Sequence, residues 1–128
     1  MNALTKKWLE RAQYDLVTAE AMLKARRYLY VAYMCQQSIE KLLKAIIVES
    51  GGKVFPTHNL VRLAEEAKIY VGIGRKRQDF LADLTPFAIE ARYGDYRKSL
   101  SEIIDRKKSI KYLATTKEVC KWLRKNLT

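Results

Sequence analysis

Residues 29–52 of the chain, LYVAYMCQQSIEKLLKAIIVESGG, decide its fold. Apolar side chains recur in this stretch every three or four residues, which is the period of an α-helix rather than of a strand. The apolar arc is broad enough to contact more than one neighbouring helix. Gly51 and Gly52 end the run, because glycine adopts the left-handed conformation at a helix C-terminus without a steric penalty. We therefore predict a central helix over residues 29–49.

Two long amphipathic helices flank this central one. Residues 4–25 carry apolar side chains at every third or fourth position, with Leu4 the first of them. The last helix is predicted over about residues 99–126, with an apolar face that includes Ile103 and Ile110. All three of these side chains are expected to point towards the core.

Two shorter helical runs lie between the central and the last helix. A short helix is predicted over residues 58–68, with Thr57 as its N-cap. A fourth run starts near Arg75 and contains Pro86, which lacks the backbone N–H that a helix interior needs. The helix is therefore either kinked at Pro86 or restarted there with Thr85 as the cap.

The composition agrees with an all-α fold. Five glycines and two prolines in 128 residues leave too little turn chemistry for the many hairpins of an all-β protein. A chain of this length suits one compact domain, residues 1–128. We predict an up-and-down antiparallel bundle of four long helices and one short helix.

The sequence argues against several other classes of protein. Cys35 and Cys120 both lie in helical apolar patterns, so we interpret them as buried, reduced core residues. No apolar run approaches a membrane span and no signal-peptide core follows the N-terminus, so we expect a soluble cytoplasmic protein. With a single histidine and no phosphate-binding glycine loop, we expect neither a metal site nor a bound cofactor.

The charge of the chain favours an anionic partner. The sum of 25 Lys and Arg against 14 Asp and Glu is +11. Residues 91–128 are the most basic part, with 11 basic and 4 acidic side chains. The lysines and arginines of the last helix form either a solvated face or a groove for nucleic acid.

The central helix also carries polar side chains between its apolar flanks. Gln36, Glu40 and Lys44 follow one another at four-residue spacing and share one face, with Lys41 on the adjacent face. This face is either a solvated stripe with a Glu40–Lys44 surface pair, a polar cleft or a symmetric interface between two chains. His58, after the expected cap, is a packing residue, part of an anion site at the helix N-terminus, or an acid–base group in RNA cleavage.

A cluster of aromatic and basic side chains precedes the last helix. Arg92, Tyr93, Tyr96 and Arg97 surround Gly94, and together they suit stacking on a base while holding its phosphate. In the alternative interpretation the tyrosines are core or interface residues and Arg92 pairs with an acidic neighbour.

Three motifs, taken in order, resemble the HEPN domain family. They are Cys35-Gln36-Gln37-Ser38-Ile39-Glu40-Lys41-Leu42-Leu43-Lys44-Ala45, then Pro56-Thr57-His58-Asn59-Leu60, then Ala91-Arg92-Tyr93. The first helix, with Trp8, Ala12, Asp15, Leu16 and Ala19, is similar as well. The resemblance implies a helical bundle that forms homodimers, binds nucleotide or RNA in a polar cleft, and acts with a separate minimal nucleotidyltransferase.

Some HEPN proteins are ribonucleases, including toxins of toxin–antitoxin pairs, and these have an arginine followed by four to six residues and a histidine. This chain departs from that pattern, because Lys53, Gly52 and Gly51 stand at the three permitted spacings before His58. Lys53 imitates the motif only in part, since a lysine lacks the planar fork of arginine.

From the residues and the resemblance we expect a non-catalytic module that binds nucleotide or RNA. The predicted contact set is Lys41, Lys44, His58, Arg92, Tyr93 and Arg97. Two alternatives stay open. One is a metal-independent RNase with His58 as the acid–base group and Lys53 or Arg92 stabilising the phosphate. The other is a purely structural interaction domain.

Overall fold

The computed structural model describes residues 1–90 and 101–127, with only the backbone of residues 89 and 90. These parts of the chain contain helices and no strand, so the predicted all-α class is confirmed. The helices in the described residues are α1 (Ala3–Lys24), α2 (Tyr28–Glu49), α3 (Leu60–Glu66), α4 (Tyr70–Ile73), α5 (Arg75–Leu84), α6 (described over Phe87–Glu90) and α7 (Arg106–Lys125), and residues 101–103 are helical as well. No helix in the described parts is long and apolar enough to cross a membrane.

Helix α2 is the centre of the bundle. Fifteen of its 22 residues are buried, because α1 and α7 pack on two of its sides and α3, α5 and α6 contact it as well. Helices α1 and α2 run antiparallel, since only residues 25–27 join them. The broad apolar arc predicted from the sequence is thus confirmed as a surface that several helices share.

The turn between α1 and α2 closes with a pair of backbone hydrogen bonds. Arg26 N–H donates to the Leu23 carbonyl at 3.1 Å and Arg27 N–H donates to the Met22 carbonyl at 2.9 Å. This pattern places Arg26 in the left-handed region, with φ at 60°. Arg26 therefore has a backbone conformation that is usually adopted by glycine.

The N-cap of α3 differs from the prediction. Asn59, not Thr57, caps the helix, because the Asn59 side chain accepts from the amides of Val61 at 3.0 Å and Arg62 at 3.2 Å. The Thr57 hydroxyl instead accepts from the Asn59 amide at 3.2 Å and stabilises the turn before the helix. The helix starts two residues later than predicted for this reason.

The chain restarts near Pro86 instead of continuing as a kinked helix. Helix α5 ends at Leu84 and α6 begins at Phe87. Thr85 is the C-cap of α5, where its hydroxyl donates to the Leu81 carbonyl at 2.8 Å. The fourth of the predicted long helices is thus a ten-residue helix, and a separate helix begins at Phe87.

The buried faces of α1 and α7 match the apolar pattern at Ala12, Ala19, Leu113, Cys120 and Leu123, and they differ from it near the start of each helix. Leu4 and Ile110 are exposed, while their neighbours Thr5 and Ser109 are fully buried. Ile103, also predicted to face inward, is exposed, and it lies in helical residues 101–103, which a break at residues 104–105 separates from α7. Thr5 and Ser109 are polar, but their hydroxyl groups form hydrogen bonds within the protein. They are therefore buried in place of the neighbouring Leu4 and Ile110.

Candidate functional site

A group of polar side chains lies on α2, under the loop that precedes α3. We call it the α2 polar cluster: Gln36, Gln37, Glu40, Lys44 and His58. Glu40 is its centre, with one carboxylate oxygen 2.8 Å from His58 Nδ1 and the other 3.0 Å from Lys44 Nζ. Gln36 Nε2 donates to the same Glu40 oxygen as His58, at 3.2 Å. The four α2 side chains are buried, so the solvated-stripe interpretation is wrong.

The loop before α3 is attached to α2 through this cluster. Gln36 Nε2 also donates to the His58 backbone carbonyl at 2.9 Å, and Gln37 Nε2 donates to Gln36 Oε1 at 2.7 Å. Both amide hydrogens and the oxygen of Gln36 thus have partners. The result is a fixed backbone position for His58 at the protein surface.

The His58 ring sits between a buried carboxylate and solvent. Its side chain is 43% exposed, whereas that of Glu40 is 4% exposed. A neutral imidazole with its proton on Nδ1 donates to Glu40 and leaves Nε2 as an acceptor, and a protonated ring offers Nε2–H as a donor. The carboxylate therefore fixes the ring so that its second nitrogen stays available to a ligand or a reacting group.

Both lysines of the predicted contact set form ion pairs within the chain. Lys44 pairs with Glu40, and Lys41 pairs with Asp15, a buried carboxylate on α1. Each pair is formally neutral. The positive charge that either lysine presents to a ligand is thereby reduced.

The other predicted residues are placed differently. Lys53 is exposed and makes no hydrogen bond or ion pair within the described parts of the chain. Arg92, Tyr93 and Arg97 lie outside the described residues, as does Tyr96. The structure therefore brings together Lys44 and His58, through Glu40, and leaves the rest of the contact set as a prediction.

The sequence interpretation did not assign a role to Glu40 as the common partner of Lys44 and His58, nor to Asp15 as the partner of Lys41. A signal for Glu40 was present, because a glutamate inside a broad apolar arc requires a cationic or hydrogen-bonding partner if the arc is covered. For Asp15 the signal was its place between Ala12 and Ala19 on the inner side of α1.

The two cysteines are buried, as predicted. Burial raises the pKa of Cys35 to about 12 and that of Cys120 to about 11. Such thiols are poor nucleophiles at neutral pH, because the thiolate is the reactive form. In the described residues no group of three or more His, Cys, Asp or Glu side chains could hold a metal ion.

Fold and site together define a small all-α bundle whose central helix carries a buried charged cluster beneath a surface histidine. The chain belongs to the HEPN family, since the HEPN domain model matches residues 5–126. The family resemblance predicted from the three motifs is thereby confirmed.

One solved structure supports the fold, and no curated protein matches the chain. The crystal structure of TT1696 from Thermus thermophilus superposes with a TM-score of 0.82. The match has 19% sequence identity and covers 95% of this chain and 97% of the other. At this identity the similarity establishes the shared fold.

Proposed function

We propose that the protein is a non-catalytic, homodimeric module that binds nucleotide or RNA and acts with a separate minimal nucleotidyltransferase. Membership of the HEPN family points to a nucleotide- or RNA-related helical module. The net charge of +11 favours a phosphate-bearing ligand. To this family-level description the proposal adds three parts, namely a homodimer, a nucleotidyltransferase partner and the absence of catalysis.

The observation that carries the proposal is the way His58 is held. Its ring is half exposed, anchored through Nδ1 to a buried carboxylate, and its backbone is tied to Gln36. A group with so little freedom loses little entropy when it contacts a ligand. In the proposed site Arg92 and Arg97 hold the phosphate and Tyr93 stacks on the base.

Titration of ATP, GTP and a short single-stranded RNA into the wild type and Arg92→Ala tests this site. Loss of a charge-assisted bond of about 1.5 to 3 kcal/mol should weaken binding roughly 10- to 150-fold. Affinity should fall as salt rises, because phosphate contacts release counterions. Equal affinities in two proteins with equal melting curves would remove Arg92 from the site.

The dimer and the partner are tested separately. Light scattering at micromolar concentration should give twice the 14.9 kDa chain mass. A mass near that of one chain would contradict the dimer. Co-expression with a minimal nucleotidyltransferase from the same genome should give a complex that survives gel filtration, and separate elution of the two proteins would contradict the pairing.

The Glu40–His58 contact also favours the second candidate function, a metal-independent RNase. A carboxylate on Nδ1 orients a histidine so that Nε2 can take or give a proton, as in acid–base catalysis. In that reaction Lys53 or Arg92 would stabilise the phosphate. RNA incubated with the protein in EDTA would then be cleaved, and His58→Ala would abolish the cleavage. No cleavage by the wild type would leave the binding module.

A further inference from the structure

We propose that a second phosphate group of the ligand, beyond the one assigned to Arg92 and Arg97, binds in a cavity at the turn between α1 and α2. We call this the corner cavity, and its lining residues are Leu23, Lys24, Arg26, Tyr28 and Arg106. The inference rests on the proposed function, because it names a second phosphate contact of the same nucleotide or RNA ligand. This contact lies at the start of α2 and is additional to the site at the His58 loop.

The corner cavity is large enough for a phosphate-bearing ligand, and its lining is mostly polar and basic. Its volume is about 600 Å³, within the range of small-molecule sites. A second cavity of about 290 Å³ shares Arg26 and Tyr28 with it and adds Arg27. Cations from three segments, the end of α1, the turn and the start of α7, therefore surround one concave surface that also has an aromatic wall.

Within the described parts of the chain, no carboxylate neutralises these cations. Lys24, Arg26, Arg27 and Arg106 form no ion pair with any of the described residues. The nearest carboxylate in sequence, Asp105, caps α7 by accepting from the Lys108 amide at 2.8 Å. The α2 polar cluster is different, since Glu40 and Asp15 balance its two lysines.

The backbone adds to the positive potential at this corner. The N-terminus of α2 lies here, with no side-chain cap and no acidic residue in its first turn, whereas the N-terminus of α7 carries the carboxylate of its N-cap Asp105. The first amides of α2, those of Tyr28 and Leu29, have no hydrogen-bond partner among the described residues. Cations next to helix N-termini repel the helix dipoles, and a bound anion removes that repulsion.

The other basic groove of the described surface is more fully paired. It lies between α1 and α7, and it is lined by Lys117, Lys121, Arg124 and Lys125 over Leu16 and Cys120. Lys117 pairs with Glu20 at 3.1 Å, and Arg124 donates to Gln13 at 3.3 Å. A phosphate would compete with those partners in this groove, whereas at the corner none of the described carboxylates pairs with the cations.

Arg26 supplies a sharp test because of its backbone. Its φ of 60° favours glycine, so Arg26→Gly removes the guanidinium while relaxing the turn. Lys68, at the end of α3, has the same φ of 60° and is also an exposed cation. Lys68→Gly is therefore a control with the same change of charge and of backbone strain, at a position outside the cavity.

The probes are ATP, a short single-stranded RNA and pyrophosphate, each titrated into the wild type and the variants. Arg26→Gly and Arg106→Gln should each weaken binding about 10-fold, the loss expected for one charge-assisted bond. For RNA, the slope of log affinity against log salt should flatten by about 0.7 for each phosphate that the variant no longer binds. Lys68→Gly should bind like the wild type, and Arg26→Gly should melt no lower than the wild type.

The outcomes separate this inference from the proposed function. Weaker binding of ATP or RNA in both corner variants supports the corner, and the probe that loses affinity identifies the natural source of the phosphate. Unchanged ATP and RNA binding in those variants contradicts the phosphate contact in the corner cavity and does not affect the proposed function. Pyrophosphate binding that both corner variants lose, without any ATP or RNA binding, overturns the proposed function and leaves the corner cavity as a site for small anions only. No binding of any probe overturns both.

Discussion

Replacing Glu40 by glutamine should destabilise the protein strongly, although the change keeps the shape of the side chain. Among the described residues, Glu40 is the only counter-charge that pairs with Lys44, and the two side chains are 4% and 9% exposed. The substitution leaves a buried ammonium group without an opposite charge. Removing one partner of a buried ion pair typically costs about 3 to 5 kcal/mol.

An energy of similar size follows from the distance between the Lys44 and Glu40 charges. Two unit charges 3.0 Å apart interact by about 5 kcal/mol at an effective dielectric constant of 20. The Trp8 ring, with its centre 5.6 Å from Lys44 Nζ, offsets a fraction of the loss through a cation–π contact. We therefore expect Glu40→Gln to lower the free energy of unfolding by about 3 kcal/mol or more.

The chain contains a matched control on its surface. Arg62 and Glu66 also form an ion pair at four-residue spacing, with N and O 3.0 Å apart, but their side chains are 56% and 32% exposed. Glu66→Gln should cost at most about 0.5 kcal/mol, because solvent screens an exposed pair. The two variants therefore compare a buried with an exposed ion pair at the same N–O distance and the same four-residue spacing.

Urea unfolding followed by circular dichroism measures both free energies. The double variant Glu40→Gln/Lys44→Met should recover most of the lost stability, because it removes the unpaired charge and keeps the side-chain volume. If Glu40→Gln costs no more than Glu66→Gln, the argument from burial is wrong. If the double variant is less stable than Glu40→Gln, the loss does not come from an unpaired ammonium group.

Three further predictions concern local features of the fold. Asn59→Ala should lower the free energy of unfolding by about 1 kcal/mol in urea melts, and Thr57→Ala should lower it less, because Asn59 is the cap of α3. Equal losses would contradict that assignment. The Cys35 and Cys120 pKa values lie above the usual 9.0, so the folded state holds both protons more tightly than the unfolded chain. The stability they contribute is complete below pH 9 and is lost as pH rises towards 11 to 12, so alanine at both positions should flatten the alkaline decline in denaturation curves. A decline of unchanged steepness would refute this. The Glu49 pKa is lowered, first by its hydrogen bond from the Asn2 backbone, so its contribution is present above pH 4.5 and is lost on acidification. Glu49→Gln should therefore reduce the acid sensitivity of unfolding, and an unchanged acid profile would contradict the reasoning.

The sequence alone determined the helical class and the extent of the longest helices. Residues 29–49 were predicted as the central helix and form part of Tyr28–Glu49, and residues 4–25 correspond to Ala3–Lys24. Periodicity succeeds here because a helix of this length repeats its buried face several times, which fixes the element from local information. The family followed from the order of three motifs along the chain, which also needs no tertiary information.

The apolar periodicity of the sequence predicted the ends of the helices less well. Thr57 and Asn59 are both good N-cap residues, and the choice between them depends on which side chain reaches the free amides. The predicted last helix is interrupted at residues 104–105, between helical residues 101–103 and α7, which Asp105 caps; its predicted start near Ser99 lies outside the described residues. A weak apolar period continues through such a boundary, so composition does not reveal it.

Only the tertiary structure decided the state of the polar residues on α2. The sequence placed Gln36, Glu40 and Lys44 on one face, but a face at four-residue spacing looks the same whether water or protein covers it. His58, 18 residues away from Glu40 along the chain, contacts Gln36 and Glu40, and Trp8 of α1 lies over Lys44. The corner cavity is non-local in the same way, because Arg106 joins Lys24 and Arg26 only when α7 packs on the first two helices. Charge and period are properties of a segment, whereas burial and pairing depend on the neighbours that the rest of the chain supplies.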